Sequence, residues 1–271
     1  RLIGRMERAD RLYSRENVHV VYLPCGPMAV TGSTRMQSST IEQAVIASAF
    51  EAALCRVTGK AFDKEYYCQA FENTIAYLQS DSCTEQIAAY AGEEASLYER
   101  NGYVTYFTAN YMLDILTDST ERAPTFATPP LRPQCRKDLK LSWAFAKNTK
   151  LSGSAAWEDC FGRHPRCIEW TEDVYRSLGV NEQIPDISYE RLLEFEIGNE
   201  PDKEREDKED NIAIWIDSVM PDEDFRRCAA PYHKKLTLVF EVDQTPTMLD
   251  IFEHIGMKMI LNAISTSAAA L

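Results

Sequence analysis

Short unbroken apolar runs alternate along the chain with longer stretches in which apolar positions recur every three or four residues. The runs Ile212-Ala-Ile-Trp-Ile216 and Leu236-Thr-Leu-Val-Phe240 lack a polar face. That is the pattern of strands covered on both sides, as in a parallel sheet flanked by helices. Extended segments are expected at residues 18–23, 103–108, 141–146, 211–217 and 236–242. Helical spacing predicts helices over 62–79, with Tyr66, Phe71, Ile75 and Leu78 on one face, and over 84–100, with Ile87, Tyr90, Ala91 and Leu97 on one face. Asn101-Gly102 reads as a helix stop. A helix beginning near Thr40 and a last one over 247–269 complete an α/β order of elements, a three-layer α/β/α arrangement on a parallel sheet.

Between the first extended segment and the helix near Thr40 lies Gly26-Pro-Met-Ala-Val-Thr31-Gly32-Ser33-Thr34-Arg35-Met36. Gly32 lets backbone approach an anion, Thr31, Ser33 and Thr34 offer rotatable O–H donors, and Arg35 can bind a phosphate through two parallel bonds. Backbone N–H groups before a helix start add to such a cradle. Ser39-Thr-Ile-Glu42 reads as a capping box, with Ser39 the cap. Ala44, Ser48, Ala49, Ala52 and Ala53 keep that helix slim. The other reading of the turn is an ordinary capped loop that binds only water.

The residues Gly26, Pro27, Gly32, Ser33, Thr34, Arg35, Met36 and Thr40 match a signature that runs approximately GPE-x-x-x-GS-[ST]-R-[ML]-K-[AG]-G-[ST]-A-x-K. By it the chain resembles the SIS-domain group of N-acetylmuramic acid 6-phosphate etherases and glucokinase regulatory proteins. Met28, Gln37, Ser38-Ser39 and Gln43 depart from the pattern, so two positive charges and one carboxylate of the family are not present. Residues 90–126 resemble the opening of the second SIS domain of the regulatory type, with Gly102, residues 104–107, Asp118, Glu121 and Pro124-Thr125-Phe126 in the matching places. Residues 254–271 resemble its closing helix, through Lys258, Leu261, Asn262, Ile264, Ser265 and Thr266, with Ser267 replacing a glycine. Etherases carry one SIS domain per chain, so an end of one domain followed by most of a second favours the regulatory type.

The resemblance implies two SIS domains, the first only partly present over 1–90 and the second over 91–271, with the front half of the first lying outside this sequence. It implies a binding protein that holds a hexose phosphate such as fructose 6-phosphate through Thr31, Gly32, Ser33, Thr34, Arg35 and Lys258, and acts on a hexokinase- or glucokinase-type partner. The alternatives are an etherase-like sugar-phosphate lyase and an inactive SIS scaffold. The carboxylates that serve the lyase fall in the missing front portion, and no catalytic residue is assigned.

Residue types temper or extend this picture. On pattern alone Lys258, inside an otherwise apolar Met257-Lys-Met-Ile-Leu261, reads as a snorkelling surface lysine. The turn Thr108-Ala109-Asn110-Tyr111 lacks the glycine and serine of a phosphate cradle, though Asn110 could donate one hydrogen bond. Glu42 reads as a helix-start carboxylate. Asp118 and Glu121 face either a hydroxylated ligand or the turn at Pro124. None of His19, His164, His233 and His254 has a nearby Ser, Cys or Asp arranged as a nucleophile with its base. A net charge of −13 and a pI near 4.9 argue against nucleic acid as partner. The eight cysteines lack paired spacing beyond Cys160 and Cys167, which with His164 offer three ligands at unusual spacing. They read as reduced thiols of a cytoplasmic or nuclear protein, with no metal and no cofactor expected. No run of about 18 apolar residues suggests a membrane span. The charged run within 192–210 reads as a solvated loop or frayed helix without catalysis.

Overall fold

The computed structural model describes residues 4–242 and 247–271. After α1 (Glu7–Tyr13), an irregular stretch leads to three successive helices, α2 (Gln37–Thr58), α3 (Lys64–Leu78) and α4 (Asp81–Glu99). Then follow β1 (Val104–Phe107), α5 (Met112–Phe126), β2 (Ala144–Lys147), and the short helices α6 (Gly153–Phe161), α7 (Glu172–Ser177), α8 (Tyr189–Leu193) and α9 (Lys203–Glu206). The chain closes with β3 (Ile212–Asp217), α10 (Glu223–Ala229), β4 (Lys234–Val239) and α11 (Ile251–Ala270).

The four strands form an all-parallel sheet in the order β2-β1-β3-β4. Side chains alternate across it. Val104, Tyr106, Ala144, Ile212, Ile214 and Leu238 belong to one face, packed with Tyr90 of α4, Ile115 of α5 and Leu261 of α11. Phe107, Ala213 and Trp215 project to the other, against Phe225 and Ala229 of α10 and Tyr232. Outside this body, α2 and α3 rest on α11 through Ala47, Tyr67, Ala70 and Phe71 against Ile251 and Phe252.

β3 is buried at all six residues, as its continuous apolar run requires. β4, with the same kind of run, is an edge strand: Lys234, Lys235 and Thr237 are exposed and only Leu238 is buried. One neighbour and a seven-residue α10 leave part of that face in water, and the lysines suit an edge. Residues 18–23, expected as a strand, are not one. A strand exists only where a ladder partner exists. Val20, Val21 and Tyr22 are accordingly exposed.

Three helix expectations need correction. α2 starts at Gln37, two residues before the expected cap, and Met36 stands at the cap position without a side-chain bond. Ser39 lies in the first turn, where its hydroxyl donates back to the carbonyl of Arg35 instead of capping. On α3 the inward positions are Ala70 and Thr74, and Tyr66 is 40% exposed. The acidic run near 192–210 is not wholly solvated. Arg205 is buried in it, donating to the carbonyls of Val104 (3.1 Å) and Ser142 (2.5 Å) and lying over the rings of Tyr103 and Phe145. Carbonyls near the amino ends of β1 and β2 gain a partner that water cannot reach. Among the described residues no helix is long and apolar enough to cross a membrane.

Candidate anion-binding pocket

The turn before α2 is built by local hydrogen bonds. The N–H of Ser33 donates to the carbonyl of Val30 (3.0 Å), and Gly32 between them has φ +84°, the left-handed region that favours glycine. Gln37 braces the loop ahead of it, receiving from the N–H of Ala29 (2.6 Å) and donating to the carbonyl of Pro27 (2.8 Å). A lysine at this position could not do both, because an ammonium only donates.

Thr31, Gly32, Ser33, Thr34 and Arg35 line one pocket of about 450 Å³, completed by Ser39, Glu121, Pro124 and Thr125. The hydroxyls of Thr31, Ser33 and Thr34 make no hydrogen bond among the described residues. Arg35 is 5% exposed. Its Nη2 donates to Asp118 Oδ1 and to Ser265 Oγ (2.7 Å), while its Nη1 and Nε are buried with no hydrogen-bond acceptor among the described residues. Glu121 Oε2 stands 3.5 Å from Nε, an ion-pair distance. Burial pushes the Arg35 guanidinium down from its ordinary value, against the pull of Asp118 and Glu121, and a guanidinium stays charged throughout. Burial likewise pushes the Glu121 carboxyl up, opposed by Arg35 and Lys258.

Lys258 does not line this pocket. It is 4% exposed, contrary to the snorkelling expectation. Its ammonium donates to the carbonyl of Arg35 (2.8 Å), to Thr40 Oγ1 (3.0 Å) and to Asn262 Oδ1 (2.9 Å), so all three N–H groups are engaged. Three neutral acceptors replace water and make burial tolerable. Burial lowers its pKa, with Glu121 the largest raising influence. Lys258 thus fixes the backbone of Arg35 from behind.

Asn110 sits elsewhere, at the carboxyl edge of the sheet, separated from Glu121 by about 15 Å of α5. Its side chain donates to Asp217 Oδ1 (2.9 Å). Asp217, fully buried at the end of β3, also accepts from Thr108 Oγ1 (2.7 Å) and from the N–H groups of Ala109 (2.7 Å), Asn110 (3.2 Å), Ser218 (2.8 Å) and Val219 (3.3 Å). The crevice between β1 and β3, where strand order reverses, is the usual ligand position of such sheets. Here the protein's own carboxylate holds the donors.

One pairing was not legible in the sequence, and Asp118, read there as facing a ligand or the turn at Pro124, bonds instead to Arg35, Arg122, Asn262 and Ser265. His254 Nδ1 lies 2.8 Å from Asp114 Oδ2, a pairing between α11 and α5 that no sequence proximity announces. Asp118 is the hub beneath the pocket. Asn262 and Ser265 reach it from α11, and the spacing of Lys258, Asn262 and Ser265 at i, i+4 and i+7 on an apolar helix could have revealed that polar stripe. All eight cysteines are unpaired, and among the described residues no cluster of three or more His, Cys, Asp or Glu is placed to hold a metal ion. Neither a protein-family model nor a curated protein matches the chain.

Proposed function

We propose that the protein is a non-catalytic receptor for a phosphorylated sugar, with the phosphate in the turn from Thr31 to Arg35. The observation that carries this reading is the pair of buried Arg35 nitrogens, Nη1 and Nε, left without hydrogen-bond acceptors beside a pocket lined by free hydroxyls. Buried donors are almost always satisfied, and a phosphate oxygen satisfies a guanidinium at full charge. The hydroxyls of Thr31, Ser33 and Thr34 add donors around the same point. Glu121 suits a sugar hydroxyl, which donates to a carboxylate. Lys258 keeps its role one step back, and Asn110 lies outside this contact.

The SIS resemblance makes the ligand a hexose phosphate such as fructose 6-phosphate and the outcome regulation of a hexokinase- or glucokinase-type partner. The ligand would couple the Arg35 turn to α5 and α11, and so favour one arrangement of these elements over another. Calorimetric titration with fructose 6-phosphate, fructose 1-phosphate and N-acetylmuramic acid 6-phosphate tests the reading, with fructose as the phosphate-free control. Saturable binding of at least one ester and none of fructose is expected. The double variant Ser33→Ala, Thr34→Val should weaken binding by about tenfold, from two lost hydrogen bonds of about 0.5–1.5 kcal/mol each. Absence of binding by all three esters would leave the pocket without this role.

A further inference from the structure

Lys147 ends β2 beside Phe107 of β1, at the carboxyl edge of the parallel sheet. It is 3% exposed. Its Nζ makes one hydrogen bond, to the main-chain carbonyl of Glu200, and forms no ion pair among the described residues. The carboxylates around it are occupied elsewhere. Asp202 accepts from Gln134 Nε2 (3.1 Å), Glu206 accepts from the N–H of Asp202 (2.8 Å), and Glu200 Oε1 accepts from the N–H of Gly153. Glu200 Oε2 is buried with no hydrogen-bond partner among the described residues.

These groups border a second pocket of about 270 Å³, remote in sequence from the Thr31–Arg35 turn and lined by Lys147, Phe107, Glu200, Glu206 and Cys228. A buried ammonium without a carboxylate against it is costly, so burial weakens its hold on the proton. Burial accordingly pushes the Lys147 pKa down, opposed by Asp202, Glu200, Glu206 and Glu196. The neighbouring Cys228 thiol is pushed up by burial, which keeps it protonated and a poor nucleophile.

We propose that Lys147 is a nucleophilic amine that captures a small aldehyde or ketone as a Schiff base in this pocket. The amine lone pair adds to the carbonyl carbon, and the carbon–oxygen π pair moves to oxygen. Solvent carries the proton lost from nitrogen to that oxygen, which gives a carbinolamine. The nitrogen lone pair then expels the hydroxyl, which leaves as water with a proton from solvent, and the iminium returns its N–H proton to solvent, so that an imine remains. One water is released per imine, and no oxidant or reductant takes part. The volume suits a carbonyl compound of a few carbons, smaller than the range of drug-sized sites.

The test is reductive labelling of the full chain with glycolaldehyde and cyanoborohydride at pH 7, followed by peptide mass mapping. Lys150 is the internal reference, because its side chain is 56% exposed and Asp222 holds its pKa up. Lys147 should be modified at least tenfold faster than Lys150, and Lys147→Met should abolish that product and leave the Lys150 product unchanged. Modification of Lys147 no faster than of Lys150, in protein with an unchanged circular dichroism spectrum, overturns the proposal.

Discussion

Asp118 and Arg35 form an ion pair between side chains 1% and 4% exposed, 83 residues apart in sequence. Asp118 Oδ1 also accepts from Asn262 (2.8 Å) and Ser265 (2.9 Å), and Oδ2 takes Nε of Arg122 (2.9 Å). Arg122 continues to Glu94, which is fully buried and also accepts from Tyr106 (2.7 Å) and Tyr98. Charges therefore alternate from Glu94 through Arg122 and Asp118 to Arg35, from the sheet outward to the pocket. Every carboxylate oxygen in the row has a partner, and Nε and Nη1 of Arg35 are the donors of the row left without an acceptor among the described residues.

Removing one member of such a row leaves a buried charge uncompensated. Asp118→Ala should cost about 3–5 kcal/mol, since Arg35 loses its hydrogen-bonded carboxylate and Arg122 one of its two. Ser33→Ala, at a free hydroxyl in the pocket, should cost less than about 0.5 kcal/mol. Urea unfolding followed by circular dichroism measures both. A loss under about 1 kcal/mol for Asp118→Ala would mean that the row does not stabilise the turn.

Glu121 makes ligand affinity depend on pH. Burial raises its pKa, so the neutral acid persists above the usual carboxylate range, with Arg35 and Lys258 opposing and Asp118 adding to the rise. A neutral Glu121 does not repel a phosphate. Affinity should therefore fall as pH rises through the raised pKa, on top of the titration of the phosphate itself near pH 6. The ratio of dissociation constants, wild type over Glu121→Gln, cancels the phosphate titration and should increase with pH over that window. The sign for stability is the same: the native state holds the extra proton, so this contribution is complete below about 4.3 and is lost as pH rises through the folded pKa. A flat ratio would remove Glu121 from the pocket's electrostatics.

The end of α4 separates two duties that the sequence places on one dipeptide. Asn101 takes the left-handed conformation with φ +60°, and its N–H donates to the carbonyl of Tyr98 (3.0 Å) while that of Gly102 donates to Leu97 (2.9 Å). This is a Schellman closure with asparagine in the usual glycine position. Gly102 is required for space: a Cβ there would stand 2.2 Å from the carbonyl oxygen of Asp210 and 2.7 Å from Leu97 Cδ1. Gly102→Ala should cost about 1–3 kcal/mol by overpacking, whereas Asn101→Gly should change stability by a few tenths. Thermal unfolding of the two variants checks the assignment, and equal effects would contradict it.

The four sheet strands and the helices α3, α4 and α11 were legible because an apolar run or a 3.6-residue stripe needs only some cover, whichever element supplies it. Residues 18–23 carry the same signal without a partner strand, and local pattern cannot register that difference. The capping box failed because Ser39 has an acceptor four residues back that competes with capping. Among the site residues, the turn from Thr31 to Arg35 was visible as a cluster of donors. The burial of Lys258 was not, because it depends on Thr40 and on the carbonyl of Arg35, more than 200 residues away. Asp217 filling the crevice near Asn110 is tertiary in the same sense.

His254 and Asp114 provide a charge pair whose strength changes near neutral pH. The hydrogen bond to Asp114 raises the His254 pKa, burial opposes the rise, and Glu253 and Asp250 add to it. The ring also lies edge-on to Tyr111, 5.8 Å between centroids, and Tyr111 donates to Glu253, so the pair sits where the first turns of α5 and α11 meet. With the folded pKa above the unfolded value of about 6.5, the native state binds more protons between the two. The contribution is therefore complete below about 6.5 and disappears as pH rises through the folded pKa. Asp114→Asn removes the partner charge and should bring the His254 pKa down. Chemical denaturation of wild type and Asp114→Asn between pH 5.5 and 8.5 should give a stability difference that is largest at the acid end and shrinks toward the alkaline end. Titration of the His254 ring by NMR in both proteins locates the midpoint independently. A difference that does not vary with pH, or a midpoint unmoved by Asp114→Asn, would show that the two side chains are neighbours without electrostatic coupling.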